Sequence, residues 1–306
     1  MPLISVIIPC YNQGIYIDDA VESVLKQSFQ DFEIIIINDG SDDEITLNKL
    51  RNYSKPKTKI IHTENKGSSS ARNIGFKESS GEFIQFLDAD DIILPSKFDD
   101  QLSIFFSDPS VGICYSDFNI FDTRKQLYLK AYVNNILSKN PLEDFLFRWE
   151  RGLGIPIHSA LFKKSIWGAD LPFSEELKAE EDWFMWCNLA LKNVGFRYID
   201  KKLAIYRHHG SNKTKDIKQL HHSFFLASYL IMQIIPVKYK LDFSIKSIEH
   251  IYNSISEKLH PDLMIRIADL KQKFAETDKS IDYRIGHFLL KPYRLFKTIL
   301  FGKRYI

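Results

Sequence analysis

The first half of the chain alternates short apolar runs with amphipathic stretches. Strands are predicted at the apolar runs 5–9, 32–37, 59–62, 82–87 and 111–116. Helices are predicted between them at 16–27, 44–52 and 69–78, and in the first of these the apolar residues share one face. The run 32–37 is almost wholly apolar, as expected of a parallel strand that is covered on both faces. This rhythm predicts an α/β fold with a Rossmann-like, mostly parallel sheet flanked by helices.

The pattern becomes mixed after residue 141. A helix is predicted at 179–191, and a pair of strands within 192–204. Beyond about residue 211 the sequence is helical, amphipathic and polar, and it carries no further motif. We therefore predict one α/β domain over residues 1–215 and a helical C-terminal region over residues 216–306.

Composition narrows the classes of function. The chain has 306 residues, of which 44% are hydrophobic and 26% charged, and its formal net charge of +2 gives no reason to expect a nucleic-acid partner. Its three cysteines, Cys10, Cys114 and Cys187, are too far apart in sequence to indicate a disulfide framework or a zinc site. We expect no signal peptide, and the most apolar stretch, 224–237, is shorter than the roughly 20 residues of a spanning helix. These features predict a cytoplasmic protein.

Polar motifs follow three of the predicted parallel strands. Residues 9–12 follow the first strand, residues 38–41 the second, and residues 88–91 the fourth. Because the carboxyl ends of parallel strands lie at one edge of the sheet, where open α/β folds bind ligands, we expect these motifs to lie together. The Asp39-Gly40 turn is by itself compatible with a purely structural role. Alternatively, its carboxylate accepts a hydrogen bond from a nucleobase.

The acidic motif Asp88-Ala89-Asp90-Asp91 is typical of a site for a hard divalent cation. Mg²⁺ and Mn²⁺ prefer carboxylate oxygens, substrate phosphates and water. Two carboxylates two residues apart allow one to reach the metal and the other a ribose. An acidic turn without a ligand is the alternative, and the neighbouring motifs argue against it.

Three further clusters carry candidate chemistry. The Gly/Ser-rich stretch 66–75 opens a helix and contains Arg72, which suits either an anion site or a solvated helix start. The acids at 180–182 open the helix at 179–191, where they either cap it or supply a general base beside sugar-stacking aromatics at Trp183, Phe184 and Trp186. The basic stretch 206–211 follows a strand, where it is placed to face a leaving diphosphate.

These motifs, in this order, resemble those of the family-two inverting glycosyltransferases with the GT-A fold, over roughly residues 3 to 215. The resemblance implies that Asp39 contacts the nucleobase, that Asp88 contacts the ribose or the metal, and that Asp182 is the catalytic base with Glu181 beside it. Glu180 extends the acidic pair, which leaves the choice between Glu181 and Asp182 open. The implied donor-binding residues are Pro9, Tyr11, Asn12, Asp39, Arg72, Asn73, Asp88, Ala89 and His209, and the implied metal ligands are Asp90, Asp88 and His209.

The resemblance implies transfer of a sugar from a nucleotide diphosphate donor, with a UDP-sugar favoured, to a saccharide or lipid-linked hydroxyl, aided by Mn²⁺ or Mg²⁺. A non-catalytic sugar-nucleotide-binding module is the alternative, and the intact Glu181-Asp182 pair argues against it. A dehydrogenase would need a GxGxxG turn after the first strand, which residues 9–14 do not form.

The last 25 residues suggest that the chain also associates with a membrane surface or packs on its own catalytic domain. Basic residues alternate with apolar ones from Arg284 to Arg304, and no acidic residue occurs after Asp282. Such a segment suits either an anionic inner-leaflet interface or a helix whose apolar face packs on the catalytic domain. Pro292 kinks or divides any helix there.

Overall fold

The computed structural model describes residues 1–129, 134–149, 151–210 and 217–256. Its strands are β1 Ile4–Cys10, β2 Phe32–Asp39, β3 Thr58–Thr63, β4 Phe83–Phe86, β5 Ile92–Ile93, β6 Val111–Asp122, β7 Leu127–Leu129, β8 Ala160–Lys163 and β9 Gly195–His208. Its helices are α1 Ile17–Leu25, α2 Glu44–Arg51, α3 Ser68–Lys77, α4 Lys97–Ser107, α5 Pro141–Phe147, α6 Glu181–Leu191, α7 Ile217–Ile234 and α8 Val237–Ser256. Short 3-10 turns lie at Ile157–Ser159 and Lys164–Trp167.

The strands of the described chain form one nine-stranded sheet in the order β3-β2-β1-β4-β8-β6-β9-β5, with β7 paired to β6. The first four strands in this order are parallel, as the sequence predicts. Beyond them the sheet is mixed, because β8 is antiparallel to both β4 and β6, and β5 is antiparallel to β9. The predicted α/β class therefore holds, and the parallel part carries the three polar motifs at its edge.

The alternation of side chains along β2 explains why this strand reads as continuously apolar. Ile34 and Ile36 are buried in a cluster that includes residues of α1, whereas Ile35 and Ile37 are buried in a second cluster that includes Ala71 of α3. Each face of the strand therefore has its own covering helix. On the second face α3 approaches closely, since a Cβ added to Gly75 would lie 2.3 Å from Cγ2 of Ile7.

The predicted strand pair within 192–204 is wrong. The structure has one long strand there, β9, which pairs in parallel with β6 over nearly its whole length. Its register jumps between Ile199, opposite Ser116, and Lys202, opposite Asp117, so that Asp200 and Lys201 are extra residues. This bulge lies within the segment that is predicted as two strands.

The chain divides into two compact units, the first ending at Ser223 and the second beginning at Phe224. The boundary falls within α7, and α8 follows that helix after a break at Pro236. None of the described helices is both long and apolar enough to cross a bilayer. The basic segment 284–304, for which an interfacial role is predicted, lies outside the described residues.

Candidate active site

Asn12 ties the loop after β1 to the loop after β2. Its backbone N–H donates to Oγ of Ser41 at 3.1 Å, and its Nδ2 donates to Asp42 at 2.6 Å. Its Oδ1 accepts from the backbone N–H groups of Asp42 and Asp43 at 3.0 and 3.2 Å. Asn12 adopts a left-handed backbone with φ of 54°, a conformation that asparagine tolerates better than most residues. Beside it, Pro9 lies within β1 and Tyr11 is exposed at the same sheet edge.

Asp39 ends β2 and anchors the loop that opens α3. It is buried, and its two carboxylate oxygens accept from the backbone N–H groups of Lys66 and Gly67 at 2.8 and 2.9 Å. The next residue, Gly40, has φ of +63°, and a Cβ there would lie 2.4 Å from the backbone nitrogen of Asn65. Each carboxylate oxygen has a second lone pair, so Asp39 keeps acceptor capacity for a ligand at this edge.

The acidic loop after β4 is held by contacts from histidine and arginine residues of other segments. Ala89 is fully buried, and Oδ2 of Asp90 lies 2.8 Å from Nε2 of His209. Asp91 is buried with both oxygens engaged, one by the backbone N–H of Arg207 at 2.8 Å and the other by Nδ1 of His158 at 2.9 Å. Burial raises the pKa of Asp91 to about 6, against the opposing effect of His158. Asp91 therefore supports the loop rather than facing a ligand.

Arg207 connects the acidic loop to the start of α1, and it is not among the predicted site residues. Its Nε donates to the backbone carbonyl of Asp90, and its Nη1 donates to Asp19 at 2.6 Å. Its guanidinium also lies over the Tyr16 ring at 5.0 Å, and that ring lies 4.7 Å from the ring of His209. Arg207 and His209 are two residues apart on an extended segment, which puts both on the side that faces the acidic loop.

Arg72 joins the acidic loop to the acids that open α6. Its side chain is 6% exposed; Nη2 lies 2.6 Å from Oδ1 of Asp88, and Nη1 lies 2.7 Å from Oε1 of Glu181. Ser68 also donates to Glu181, at 3.2 Å. A planar guanidinium suits two carboxylates at once, because its nitrogens form a rigid fork. The structure thus brings together two motifs that are 93 residues apart in the chain (181 minus 88).

Asp182 lies beside this ion pair and is partly buried. Desolvation raises its pKa to about 7, and the negative charge of Glu181 acts in the same direction. The backbone N–H of Trp183, which donates to Asp182 at 2.8 Å, and the charge of Arg72 oppose that rise. A carboxylate with a pKa near 7 is suited to removing a proton at neutral pH.

Asn73 fixes the segment that precedes the acids. Its Oδ1 accepts from the backbone N–H of Phe173, and its Nδ2 donates to the carbonyl of Phe173 and to Glu175, at 2.9 to 3.1 Å. Its side chain is buried, so these three bonds occupy most of its hydrogen-bonding capacity. The donor-binding role predicted for Asn73 stays a prediction.

The aromatic residues predicted to stack on sugar beside the acids lie mainly in the core. Trp183 is 2% exposed, and its indole N–H donates to the carbonyl of Phe145 at 2.7 Å. Trp186 is fully buried and stacks on Phe145 and Phe162. Only Phe184 of this group is partly exposed. The two tryptophans belong to the inner face of α6, so the stacking interpretation is wrong for them.

Asp88, Asp90 and His209 are the predicted metal ligands. Oδ2 of Asp90 and Nε2 of His209 lie 2.8 Å apart in a hydrogen bond, which a metal held by both atoms would replace. Across the residues that the structure describes, no three His, Cys, Asp or Glu side chains converge on one metal position. Mg²⁺ commonly uses one or two carboxylates and takes its remaining ligands from substrate phosphates and water. The pair fits a metal that binds together with a diphosphate.

Comparison with known proteins shows which family the chain is similar to. The sequence model of glycosyl transferase family 2 matches residues 5–168. An uncharacterized glycosyltransferase of Rickettsia bellii is 31% identical over 214 residues, which are 69% of this chain and 29% of that protein. The Escherichia coli UDP-Glc:alpha-D-GlcNAc-diphosphoundecaprenol beta-1,3-glucosyltransferase WfgD is 28% identical over 71% of this chain and 83% of its own. The chain spans about a third of the length of three Rickettsia relatives.

Solved structures share the fold at low sequence identity. Staphylococcus aureus TarS 1–349 in complex with UDP-GlcNAc has a TM-score of 0.63 at 19% identity, over 85% of this chain and 76% of that one. The mannosyltransferase PcManGT of Pyrobaculum calidifontis, in complex with GDP-Man and Mn²⁺, has a TM-score of 0.58 at 13% identity, over 99% of this chain and 88% of that one.

Proposed function

Since the chain belongs to glycosyl transferase family 2 and has the GT-A fold, we propose that it is an inverting, metal-dependent glycosyltransferase. Its donor is a nucleotide diphosphate sugar, with UDP favoured. Its acceptor is a hydroxyl of a saccharide or of a lipid-linked sugar, in the assembly of a cell-surface polysaccharide or glycan. Residues 1–215 form the catalytic domain in this proposal, and the protein is cytoplasmic.

The fork of Arg72 is the observation that carries the proposal. It contacts Asp88 of the acidic loop and Glu181 next to Asp182, each at 2.7 Å or less. The residues assigned to donor binding and the residues assigned to proton removal therefore share one ion-pair cluster. A site that only bound a sugar nucleotide would have no need of a second acidic pair in which burial raises the pKa of Asp182 to about 7.

The donor side of the site is assigned to the sheet edge at the carboxyl ends of the parallel strands. Asp39 and the loops tied by Asn12 are assigned to the nucleoside, and Asp88 to the ribose. Pro9, Tyr11, Ala89 and Arg72 line the donor by resemblance. The UDP-GlcNAc of TarS and the UDP-Glc in the name of WfgD support a uridine donor. The diphosphoundecaprenol in the name of WfgD supports a lipid-linked acceptor.

Asp90, His209 and Asp88 are the residues assigned to Mn²⁺ or Mg²⁺, an assignment supported by the Mn²⁺ in the PcManGT complex. The metal, when bound, supplies positive charge to the departing diphosphate. Arg207 and Tyr16 hold Asp90 and His209 in place, because they contact the backbone of the first and the ring of the second.

Asp182 acts as the general base. It takes the proton of the acceptor hydroxyl, whose oxygen attacks the anomeric carbon from the face opposite the diphosphate. The new C–O bond forms as the bond from the anomeric carbon to the diphosphate oxygen breaks, and the electron pair leaves with the nucleoside diphosphate. A single displacement of this kind inverts the anomeric centre. Glu181, held by Arg72 and Ser68, keeps negative charge beside Asp182 and thereby supports its raised pKa.

A panel of nucleotide sugars, offered with Mn²⁺, tests the proposal against a non-catalytic sugar-nucleotide-binding module. Two readouts are needed, the release of nucleoside diphosphate and the rise in Tm on binding. An enzyme gives both with its own donor, whereas a binding module gives only the rise in Tm. Neither response with any donor, from a folded protein, contradicts both functions.

A further inference from the structure

Trp149 differs from the other tryptophans of the chain in its exposure. All four tryptophans of the chain lie in the described residues. Trp167, Trp183 and Trp186 are 3% exposed or less, whereas Trp149 is partly exposed. The sequence motifs direct attention to Trp183 and Trp186, which follow the acids at once, and give no signal for Trp149, which lies more than 30 residues earlier.

The indole of Trp149 is anchored next to the acids that open α6. Its Nε1 donates to Oε2 of Glu180 at 3.1 Å. Glu180 immediately precedes Glu181 and Asp182, and it has a left-handed backbone with φ of 61°, which is rare for a glutamate. Unusual backbone of this kind is often found at functional sites. This hydrogen bond therefore ties the indole to a residue that lies two positions before the proposed base in the sequence.

The segment around Trp149 holds it in place, and among the described residues no aromatic ring stacks on its faces. It follows α5, in which the ring of Phe145 packs on Trp186 and the backbone carbonyl of Phe145 accepts from the indole N–H of Trp183. The described ring contact of Trp149 itself is with Phe145, at a centroid distance of 6.3 Å and an interplanar angle of 60°. Phe145 thus approaches at a tilt, and no described aromatic ring stacks flat on the indole.

We propose that Trp149 and Glu180 form the acceptor subsite, in which a pyranose ring stacks on the indole and one of its hydroxyls hydrogen-bonds to the Glu180 carboxylate. The C–H face of a pyranose is apolar and matches an aromatic face, whereas its hydroxyls need acceptors such as a carboxylate. The donor residues Asp39, Asp88 and Asp90 lie at the sheet edge, and Arg72 links Asp88 to Glu181. Glu181 is engaged by Arg72, which contacts Asp88 of the donor side, whereas Glu180 is engaged by Trp149. For that reason we place the acceptor on the Glu180 side of Asp182.

This inference rests on the proposed function, and its test separates the two. Transfer to p-nitrophenyl pyranosides, with both anomers of glucose, galactose, N-acetylglucosamine and N-acetylgalactosamine, is measured for the wild type, Trp149→Phe and Trp149→Ala. Binding of the same glycosides is followed by saturation-transfer NMR. Phe106→Ala is the matched control, because it removes a ring that is 66% exposed on α4, outside the site.

We expect Trp149→Ala to raise the acceptor KM, or weaken glycoside binding, by about tenfold or more, since tryptophan is enriched among the few contact residues whose truncation costs a complex that much. Trp149→Phe should show a smaller loss, and Tm shifts with UDP should stay as in the wild type. Glu180→Ala should resemble Trp149→Ala, because it releases the indole. The subsite is overturned if the acceptor KM of Trp149→Ala stays within twofold of the wild type. It is also overturned if Phe106→Ala shows the same loss, or if the wild type binds no glycoside. Failure of the proposed function is different, since it removes the response to nucleotide sugars as well.

Discussion

Arg72→Lys tests the ion-pair cluster sharply, because lysine keeps the positive charge and loses the fork. One ammonium would replace two nitrogens that lie 2.6 Å from Asp88 and 2.7 Å from Glu181. A hydrogen bond to a charged group contributes about 1.5–3 kcal/mol. The Asp88 side chain is 31% exposed and regains water when released, whereas Glu181 is 12% exposed. The free energy of unfolding should therefore fall by about 1.5 kcal/mol if Asp88 is released, and by about 3 kcal/mol if Glu181 is released.

Those energies translate into measurable changes. For a domain of 150–250 residues they correspond to a fall in Tm of roughly 3–12 °C. The transfer rate should fall by about 100-fold, because a misplacement of about 1 Å at a reacting group can cost that much. Differential scanning fluorimetry and a nucleoside diphosphate release assay measure the two effects on the same preparation.

Arg72→Met separates the charge from the geometry. The charge of Arg72 lowers the pKa of Asp182, so its removal should move the midpoint of the pH–rate profile upward. Arg72→Lys retains the charge and should leave that midpoint nearly unchanged. A lysine variant with the Tm and transfer rate of the wild type would refute the role of the fork, and equal midpoints in all three proteins would refute the electrostatic coupling to Asp182.

Three further predictions follow from the site and the sequence. Asp90→Ala should keep the fold, lose transfer and lose the rise in activity with added Mn²⁺, and full activity of this variant, or of the wild type in EDTA, would contradict the metal assignment. Because Asp182 must be ionised to act as a base, and burial raises its pKa to about 7, kcat/KM should rise with pH up to a plateau above about 7; a profile flat from pH 5 to 8 would count against this base. Anionic liposomes should bind the full chain and release it in high salt, and equal binding by a chain that ends near Asp282 would show that the basic tail is not an anchor.

The sequence predicts the parallel half of the fold well, because burial on two faces leaves a clear trace. Ile34 to Ile37 form an unbroken apolar run, since each face of β2 has its own covering helix. The other half depends on contacts between distant segments. β8 has only four residues and inserts between β4 and β6, an order that its composition does not encode. β9 contains a bulge within the segment that is predicted as two strands.

Some residues of the candidate site can be predicted from the sequence, and others cannot. Residues that carry chemistry at strand ends, such as Asp39 and Asp90, stand out in the sequence. Residues that hold them, such as Arg207 and His158, do so through tertiary contacts. Arg207 could have been found from its position two residues before His209, which puts both on one side of an extended segment. His158 precedes a short strand and carries no such signal.

The structure also bears on the choice between the two acids. Glu181 is engaged by Arg72 and Ser68, whereas Asp182 accepts its described hydrogen bond from the backbone N–H of Trp183 and has a pKa near 7. These contacts favour Asp182 as the base, and the assignment stays a prediction.

Comparison of Asp182→Asn with the wild type tests the central claim most directly, with donor binding and transfer measured on the same samples. We predict that the variant keeps the rise in Tm with its nucleotide sugar and loses about 10²–10⁴-fold in transfer rate, the usual contribution of a general base. Glu181→Gln is the matched control for charge removal at the neighbouring position. Transfer by Asp182→Asn at the wild-type rate, or a loss confined to Glu181→Gln, would contradict the account.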